Sequence, residues 1–267
     1  MDLSTARHAL ITGGASGMGL GMAKALAARG IGVTIVDANA QTLAAATADG
    51  TLRGAVLDVR DREGWARVKV EAEAALGPVD ILINNAGISP SGRALADTDP
   101  ANFDLIVGIC LTGVFNGVHA FAAGMRDRGR GHIVNVSSMA GISAPMPGMG
   151  PYTAAKFGVV ALSEMLRVEL APHGVGVSLL CPGQVATSIL ENTQRLGGEV
   201  TWIQQGTKAA AAASTGPTVT TADEVAQLVL QAISENAFFI LTDPAAWRAR
   251  VETRQTALLD AFAAAVG

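Results

Sequence analysis

The stretch TGGASGMGLGMAKALAARG, residues 12–30, follows directly on the apolar run HALIT, residues 8–12. Its glycines Gly13, Gly17 and Gly19 let a backbone turn tightly and approach a ligand without an intervening Cβ. The helix predicted by the later part of the stretch directs its free N–H groups and its positive end at an anion. A glycine-rich string alone is a weak signal. Its position between a predicted strand and a predicted helix indicates a phosphate-binding loop.

Short apolar runs alternate with longer helical patterns throughout the chain. The runs are almost entirely apolar, which suits strands that are covered on both faces. The repeated order predicts an α/β fold, a Rossmann-type doubly wound parallel sheet of about seven strands with helices on both faces. The predicted strands are residues 8–12, 32–37, 55–59, 80–87, 132–138, 176–183 and 238–242. The predicted helices are residues 17–29, 40–48, 62–76, 100–126, 152–172, 221–235 and 245–265.

The domain organisation is predicted to be simple. No linker rich in Pro and Ser divides the chain, so residues 1–267 are expected to form one domain. Residues 184–220 show no clear strand and contain an Ala-rich stretch, which favours a lid over the substrate. Residues 245–267 predict a C-terminal helical extension that covers its own core, the lid or a neighbouring subunit. Four apolar side chains lie near one face of this extension: Trp247, Val251, Leu258 and Phe262.

The composition excludes several classes of protein. Of 267 residues, 49% are hydrophobic and 16% are charged, which indicates a globular core and excludes a disordered chain. A formal net charge of −4 gives no basic surface for nucleic acid or anionic lipid. We recognise no secretory signal and no membrane span of roughly 18 apolar residues. The two cysteines, Cys110 and Cys181, are expected to be free thiols in a cytoplasmic protein.

The second predicted strand ends at Asp37, about twenty residues after the glycine loop. A carboxylate at this place accepts hydrogen bonds from the adenosine ribose hydroxyls of a dinucleotide. A 2′-phosphate would meet it at about 4 Å, at a cost of roughly 1–4 kcal/mol. No arginine or lysine in DANAQ, residues 37–41, offsets this repulsion, and Ser16 in the glycine loop is uncharged. The sequence therefore predicts NAD as the cofactor in preference to NADP.

Five motifs, in the same order, resemble those of the short-chain dehydrogenase/reductase family in its compact single-domain branch. TGGASGMG resembles the family motif TGxxxGxG, NNAG follows strand four, and NVSS places a serine fourteen residues before a tyrosine. YTAAK is a YxxxK pair, and PGQVAT resembles PGxxxT. The motifs occupy residues 12–19, 84–87, 135–138, 152–156 and 182–187. The resemblance covers roughly residues 8–242 and implies a nicotinamide-dependent oxidoreductase that interconverts secondary alcohols and ketones.

The resemblance assigns catalysis to Ser138, Tyr152 and Lys156. The chemistry agrees, because loss of hydride from an alcohol carbon requires a base to take the hydroxyl proton. Positions four apart share a helix face, so Lys156 is expected to lower the pKa of Tyr152 from about 10 to about 7. Ser138 would hydrogen-bond the substrate oxygen, with Ser137 as the alternative. The resemblance implies that Lys156 also holds the nicotinamide ribose.

The remaining contacts are carried over from the family by position. Asp58 and Val59 are expected beside the adenine and Thr187 beside the carboxamide, while a role as strand-end cap stays open for Asp58 and Asn84. The expected cofactor-binding residues are Gly13, Ser16, Gly17, Met18, Gly19, Asp37, Asp58, Val59, Asn84, Asn85, Ala86, Gly87, Tyr152, Lys156, Pro182, Gly183, Val185 and Thr187.

An apolar and fairly bulky alcohol or ketone is expected in a pocket between Ser138, Tyr152 and the lid. The reason is the number of methionines predicted there, since this side chain fills irregular shapes and tolerates varied ligands. The expected lining residues are Met139, Ile142, Met146, Met149, Gln184, Ile189 and Trp202.

One residue departs from the family pattern. In GICLTGVF, residues 108–115, Cys110 occupies the place of an asparagine thought to bind a water on the proton path from the lysine. A thiol is a poor donor and acceptor, so we expect Cys110 to pack as a small apolar group and activity to be reduced but present. Asn116 is a poor substitute. A second hypothesis therefore stays open, namely an NAD-binding sensor or scaffold with weak or no catalysis.

Other sites and partners receive little support. The four histidines show no metal-ligand spacing, so no metal is expected. The absence of a GxSxG elbow argues against a hydrolase. By analogy with the family, a homotetramer or homodimer would form through the helices 100–126 and 152–172.

Overall fold

Seven parallel strands form a single sheet in the computed structural model, which describes residues 1–143, 145–185, 189–201 and 219–266. The strands are β1 (His8–Thr12), β2 (Gly32–Asp37), β3 (Arg53–Val56), β4 (Ile81–Asn84), β5 (Gly131–Val136), β6 (Val175–Cys181) and β7 (Phe239–Leu241). Their order across the sheet is β3-β2-β1-β4-β5-β6-β7. The order reverses between β1 and β4, and open parallel sheets bind ligands at the carboxyl ends of the strands beside such a point. The predicted Rossmann-type fold is confirmed.

Helices cover both faces of this sheet. They are α1 (Gly17–Ala27), α2 (Ala40–Ala46), α3 (Arg62–Leu76), α4 (Pro100–Val107), α5 (Gly113–Arg128), α6 (Gly150–Leu170), α7 (Ile189–Arg195), α8 (Ala222–Glu235) and α9 (Pro244–Val266). One face is packed by α1 and α8, through Met22 and Val229 among others. The other face is packed by α3, α5 and α6, where Trp65 meets Phe121 edge-on. Every residue of β1, β4 and β5 is buried, which explains their continuous apolar sequences.

The predicted helix 100–126 is interrupted. After α4, residues Gly108–Thr112 form a π-helical turn, and α5 then continues to Arg128. A Cβ on Gly113 would lie 2.5 Å from Cγ2 of Val59, so the helix approaches the segment that follows β3 more closely than a larger residue allows. A π turn adds one residue to the helical repeat, a change that apolar periodicity does not reveal.

The helical run Pro100–Arg128 is the one stretch among the described residues that is long and apolar enough to cross a membrane. However, 56% of its most apolar window is buried inside this protein. A core helix of a globular protein passes the same test of length and composition. Its packing against α3, α6 and the sheet accounts for its apolar sequence.

The two predicted extensions are organised differently from each other. The described part of 184–220 contains α7, whereas residues 202–218 lie outside the described residues. The first turns of α9 pack on the body of the protein through Trp247 and Val251. Its second half is exposed, with Leu258 45% and Phe262 71% accessible. Covering its own core is therefore correct for the first half of the extension only.

Candidate active site

A groove enclosing about 810 Å³, its open mouth included, lies at the carboxyl ends of β1, β2 and β4. The groove lies where the strand order reverses, as the fold predicts. Its lining residues are Gly13, Ser16, Gly17, Met18, Asp37, Ala38, Leu57, Asp58, Val59, Asn85, Ala86, Gly87, Ile88, Ile109, Ile189, Asn192, Arg195 and Leu196.

The glycine loop fits a dinucleotide phosphate because side chains there have no room. Gly13 and Gly17 adopt φ values of 60° and 51°, which favour glycine. A Cβ on Gly19 would lie 2.2 Å from the carbonyl oxygen of Gly13, and a Cβ on Gly13 would meet Ala86 at 3.0 Å. The loop therefore brings bare backbone and the N-terminus of α1 to the floor of the groove, an arrangement that binds anions.

Asp37 closes β2 at the rim of the groove. Its carboxylate accepts backbone hydrogen bonds from Ala15 at 3.3 Å and Asn39 at 2.9 Å. These bonds fix the carboxylate beside the glycine loop, where adenosine ribose hydroxyls can donate to it. These two donors satisfy part of its acceptor capacity, and Asp37 lines the groove with further lone pairs unused by these bonds.

Asp58 and Val59 form the opposite wall. Arg60 holds both oxygens of Asp58, with its NH2 at 2.6 Å from Oδ2, and this hydrogen bond keeps the pKa of Asp58 below its ordinary value. The Val59 carbonyl accepts 2.9 Å hydrogen bonds from the Trp65 ring nitrogen and from the amide of Asn116. Asn116 therefore supports this wall. Its amide is used by this contact, as expected for a residue that is a poor substitute for the asparagine missing at position 110.

The two asparagines of NNAG have different roles. Asn84 is 2% exposed and donates to Asn135 at 2.9 Å, so its side chain lies in the core and not in the groove as expected. Alternation along the strand turns its neighbour to the other side. Asn85 lines the groove and donates to the carbonyl oxygens of Thr12 and Gly13 at 2.9 and 3.2 Å. It thereby ties the glycine loop to the end of β4.

The predicted catalytic side chains Ser138, Tyr152 and Lys156 are brought together where β5 meets α6. The side chains of Tyr152 and Ser138 share a hydrogen bond. The Lys156 ammonium lies 5.5 Å from the Tyr152 ring centre and donates to the Val136 carbonyl at 2.9 Å. A Cβ placed on Gly87 would lie 3.7 Å from the Lys156 Nζ, so this cluster adjoins the inner end of the groove.

The lowered pKa expected for Tyr152 is not found when the protein residues alone surround the phenol. Burial raises the pKa of Tyr152 above its ordinary value near 10, while Lys156 and the Ser138 hydrogen bond oppose that rise. The phenol is 9% exposed and the thiols Cys110 and Cys181 add to the increase. Desolvation outweighs the ammonium because burial removes the phenolate from water, whereas the ammonium lies 5.5 Å from the ring centre.

Ser137 is the weaker candidate for the substrate contact. Its hydroxyl donates to the Lys156 carbonyl at 2.9 Å and is 1% exposed. A Cβ on Gly141 would lie 2.4 Å from the Ser137 hydroxyl oxygen, so Ser137 is packed against the backbone. Ser138 caps the turn Met139–Gly141 by accepting from the Ala140 amide at 3.1 Å. That bond uses one lone pair of the Ser138 hydroxyl, and its proton can be donated to Tyr152 or to a substrate oxygen that takes the place of Tyr152.

Cys110 lies within the π-helical turn and is completely buried. Its sulfur accepts from the Ile88 amide at 3.5 Å and its thiol donates to the Ile88 carbonyl at 3.7 Å. These are weak bonds in place of those an amide side chain would form. A Cβ placed on Gly87 would lie 3.7 Å from this sulfur and 3.7 Å from the Lys156 Nζ, so Gly87 separates the departure from the family pattern from the predicted catalytic lysine.

The PGQVAT segment is described as far as Val185. The Pro182 carbonyl accepts from the Met139 amide at 3.0 Å, which joins this segment to the turn after Ser138. Gly183 donates to Thr242 at 2.8 Å, and a Cβ there would lie 2.7 Å from the Trp247 ring nitrogen. Val185 pairs with Thr220 in an isolated bridge. None of the three lines the groove itself, and Thr187 lies outside the described residues.

The predicted substrate-pocket residues do not all lie in one place. Met139 is 2% exposed and packs with Val114 and Cys181, so its side chain belongs to the core because the turn after Ser138 folds inward. Three others stay partly exposed, Ile142, Met146 and Met149, and Met149 packs against the core cluster that contains Tyr152. Gln184 is exposed and its carbonyl accepts from Thr220. Trp202 lies outside the described residues.

Ile189 lines the groove, together with three further residues of the α7 segment that the sequence did not indicate: Asn192, Arg195 and Leu196. The described part of the expected lid therefore covers the cofactor side of the cleft. Its sequence has no pattern that would have revealed this. Ala38 and Ile88, also missed, come directly after groove residues at strand ends and could have been inferred from the strand-end rule. Among the described residues, no group of three metal-ligating side chains is found.

Comparisons with known proteins agree with this geometry. The family model described as short chain dehydrogenase matches residues 7–196. A C alpha-dehydrogenase from Sphingobium sp. is 33% identical over 265 residues, which are 96% of this chain and 86% of that protein. A 3-alpha-(or 20-beta)-hydroxysteroid dehydrogenase from Mycobacterium tuberculosis is 37% identical over 186 residues, covering 68% and 70%. A short chain dehydrogenase/reductase from Burkholderia phymatum, solved in complex with NAD, superimposes with a TM-score of 0.80 at 33% identity over 92% of both chains.

Proposed function

This chain belongs to the short-chain dehydrogenase/reductase family of oxidoreductases, and we propose that it interconverts a secondary alcohol and a ketone with NAD as cofactor. The observation that carries the proposal is the grouping of Ser138, Tyr152 and Lys156 beside Gly87, at the inner end of the groove. Family members bind nicotinamide cofactors and act on small molecules, and the glycine loop offers the bare backbone that the cofactor phosphates require.

The glycine loop and Asp37 would hold the nicotinamide cofactor, which would supply hydride transfer to or from the substrate carbon. Tyr152 takes the hydroxyl proton during oxidation and gives it back during reduction. Ser138 donates a hydrogen bond to the substrate oxygen, whose charge changes during the reaction. Lys156 is held by the Val136 carbonyl and favours the phenolate form of Tyr152 through its positive charge.

The preference for NAD rests on Asp37. Its carboxylate is fixed at the groove by two backbone amides, and a 2′-phosphate placed there would be repelled. We expect kcat/KM to be higher with NAD than with NADP. In Asp37→Ser the ratio of the two kcat/KM values should fall by roughly tenfold or more. Equal use of both cofactors by the unchanged protein would contradict the assignment.

An apolar and bulky substrate is proposed from the partly exposed side chains near Tyr152, which are Ile142, Met146 and Met149. One relative is named a hydroxysteroid dehydrogenase, and a steroid is an apolar and bulky substrate for that protein. A screen of cyclic, aromatic and aliphatic secondary alcohols, following formation of reduced cofactor, tests the proposal. Turnover of small charged hydroxy acids alone would contradict it.

The decisive variant is Tyr152→Phe. It removes the proton-transferring oxygen and leaves the ring, so we expect kcat to fall at least 100-fold while NADH binding stays within about twofold. Thr153→Ala, a change at the neighbouring position on α6, is the matched control. Retained activity in Tyr152→Phe would support the alternative of an NAD-binding sensor or scaffold, which the oxidoreductase relatives do not favour.

Quaternary structure and location stay predictions. Three apolar side chains on α5 and α6 are exposed in the single chain, Phe115 at 45%, Met165 at 59% and Val168 at 70%. Exposed apolar side chains on the helices that the family uses for assembly support a homodimer or homotetramer. Light scattering of the purified protein would distinguish these from a monomer. A cytoplasmic location is proposed on the two buried, unpaired thiols.

A further inference from the structure

We propose that Arg195, positioned by Asn192, binds the pyrophosphate of the cofactor, so that α7 acts as a clamp across the groove. The inference rests on the proposed use of a dinucleotide and assigns a phosphate contact outside the glycine loop. It begins from the placement of α7, whose residues Ile189, Asn192 and Arg195 line the same groove as the glycine loop.

The first observation is the charge of the groove. Among its described lining residues, Arg195 is the single cationic side chain, whereas Asp37 and Asp58 are acidic. Arg60 already pairs with Asp58 at 2.6 Å. Within the described part of the chain, none of the ion pairs involves Arg195. A dinucleotide brings two phosphate charges into this groove, and a guanidinium is the side chain best suited to bind them.

The second observation places the guanidinium on the phosphate side of the groove. Arg195 donates to Oδ1 of Asn192 at 3.1 Å, and Nδ2 of Asn192 lies 3.4 Å from the Ser16 hydroxyl. Ser16 is the N-cap residue of α1 but its side chain forms no capping bond there. The series Arg195, Asn192, Ser16 therefore bridges the mouth of the groove and ends at the N-terminus of α1, where phosphates bind.

The third observation is that α7 is held in place. The Thr193 hydroxyl accepts from the Ser89 amide at 2.8 Å and donates to the Ile189 carbonyl at 2.7 Å. Beyond the helix, Glu199 pairs with Arg93 at 2.5 Å, and the Thr201 amide donates to the Ser91 carbonyl at 2.8 Å.

These contacts anchor both ends of residues 189–201 on the loop that follows β4. An arginine on a fixed helix loses less conformational freedom on binding than one on a free segment.

The experiment compares how ligands bind to Arg195→Ala and to the unchanged protein, by calorimetry or by competition with NADH fluorescence. We expect Arg195→Ala to weaken the binding of NADH and of ADP-ribose by roughly tenfold. The binding of adenosine should be unchanged, because adenosine has no phosphate. Raising the salt concentration should weaken NADH binding less in this variant. Gln194→Ala, on the same helix but outside the groove, and Arg126→Ala, a distant exposed arginine, are the controls.

Asn192→Ala tests the positioning role. Asn192→Ala should weaken ADP-ribose binding by less than Arg195→Ala does. The double variant should bind ADP-ribose as weakly as Arg195→Ala, because both changes remove the same contact. In steady state both variants should raise KM for NAD with kcat within about twofold.

Two results would overturn the inference while leaving the proposed function intact. Equal weakening of adenosine and ADP-ribose would mean that Arg195 acts through the fold of α7. Weakening confined to NADPH would place the contact at a 2′-phosphate instead of the pyrophosphate. Failure of the unchanged protein to bind NADH or ADP-ribose at all would instead remove the proposed function.

Discussion

Tyr152 is the single tyrosine of the chain, so the ionisation of the proposed catalytic base can be observed directly from phenolate absorption in the near ultraviolet. The measurement needs no substrate and no knowledge of the reaction. Burial raises the pKa of Tyr152 above about 10 in the protein itself, so we expect the titration midpoint of the unliganded protein to lie above that of free tyrosine.

Charge substitutions at position 156 test how much the lysine contributes. The ammonium lies 5.5 Å from the ring centre, and two unit charges at that distance interact by about 3 kcal/mol at an effective dielectric of 20. That energy corresponds to a shift of roughly 2 pH units. Lys156→Arg keeps a charge that does not titrate in this range, and Lys156→Met removes it. We therefore expect the Tyr152 midpoint of Lys156→Met to lie about 2 pH units above that of Lys156→Arg.

The control is circular dichroism recorded at each pH, which limits the comparison to conditions in which both variants are folded. If the higher midpoint lies outside the pH range in which the variants stay folded, the comparison still discriminates. Tyr152 would then be partly ionised in Lys156→Arg at a pH at which it is not ionised in Lys156→Met. Coincident titrations of the two variants would refute the argument that Lys156 acts on Tyr152 through charge. A midpoint well below 10 in the unchanged protein would refute the argument that desolvation dominates.

Three further predictions concern the loop, the departure from the family pattern and the core. Gly19→Ala places a Cβ 2.2 Å from the Gly13 carbonyl oxygen, so we expect calorimetry to show loss of NADH binding and thermal unfolding to show a loss of about 1–3 kcal/mol. Cys110→Asn restores an amide beside Lys156, and we expect kcat to rise about tenfold with a changed pH–rate profile; an unchanged profile would remove position 110 from the proton path. Burial lowers the pKa of His132 from 6.5 to about 3, so the unfolded chain binds an extra proton below about pH 6.5 and stability falls as the pH drops from there towards 3. Urea unfolding at pH 4.5 should therefore show about 2–3 kcal/mol less stability than at pH 7.5 from this residue, a difference that His132→Gln should lack.

The sequence predicted the sheet well because the signals there are local and repeated. β1 and β2 agree with their predicted bounds, since each is a buried apolar run that ends at a polar residue. The third strand was placed at 55–59 but runs from Arg53 to Val56. It is the outermost strand and mostly exposed, so its sequence lacks the continuous apolar run on which the prediction relied.

The site was only partly predictable. Motif spacing brings Ser138, Tyr152 and Lys156 together because strand ends and helix turns fix their separation. It could not predict the pKa of Tyr152, because desolvation depends on the packing of distant segments around the phenol. Nor could it predict the place of Arg195, whose approach to the groove depends on contacts between the segment 189–201 and the loop after β4. Those contacts join residues about one hundred positions apart.

The π-helical turn at Gly108–Thr112 determines in which direction each side chain of α5 points. Rewinding the same residues as a regular α-helix, with none removed, would rotate α5 by about 100° relative to α4. Asn116 would then point away from the Val59 carbonyl, and Phe121 away from Trp65. One additional residue thus lets the same helical run place Cys110 against Ile88 and, one and a half turns later, place Asn116 against the wall proposed to hold the adenine.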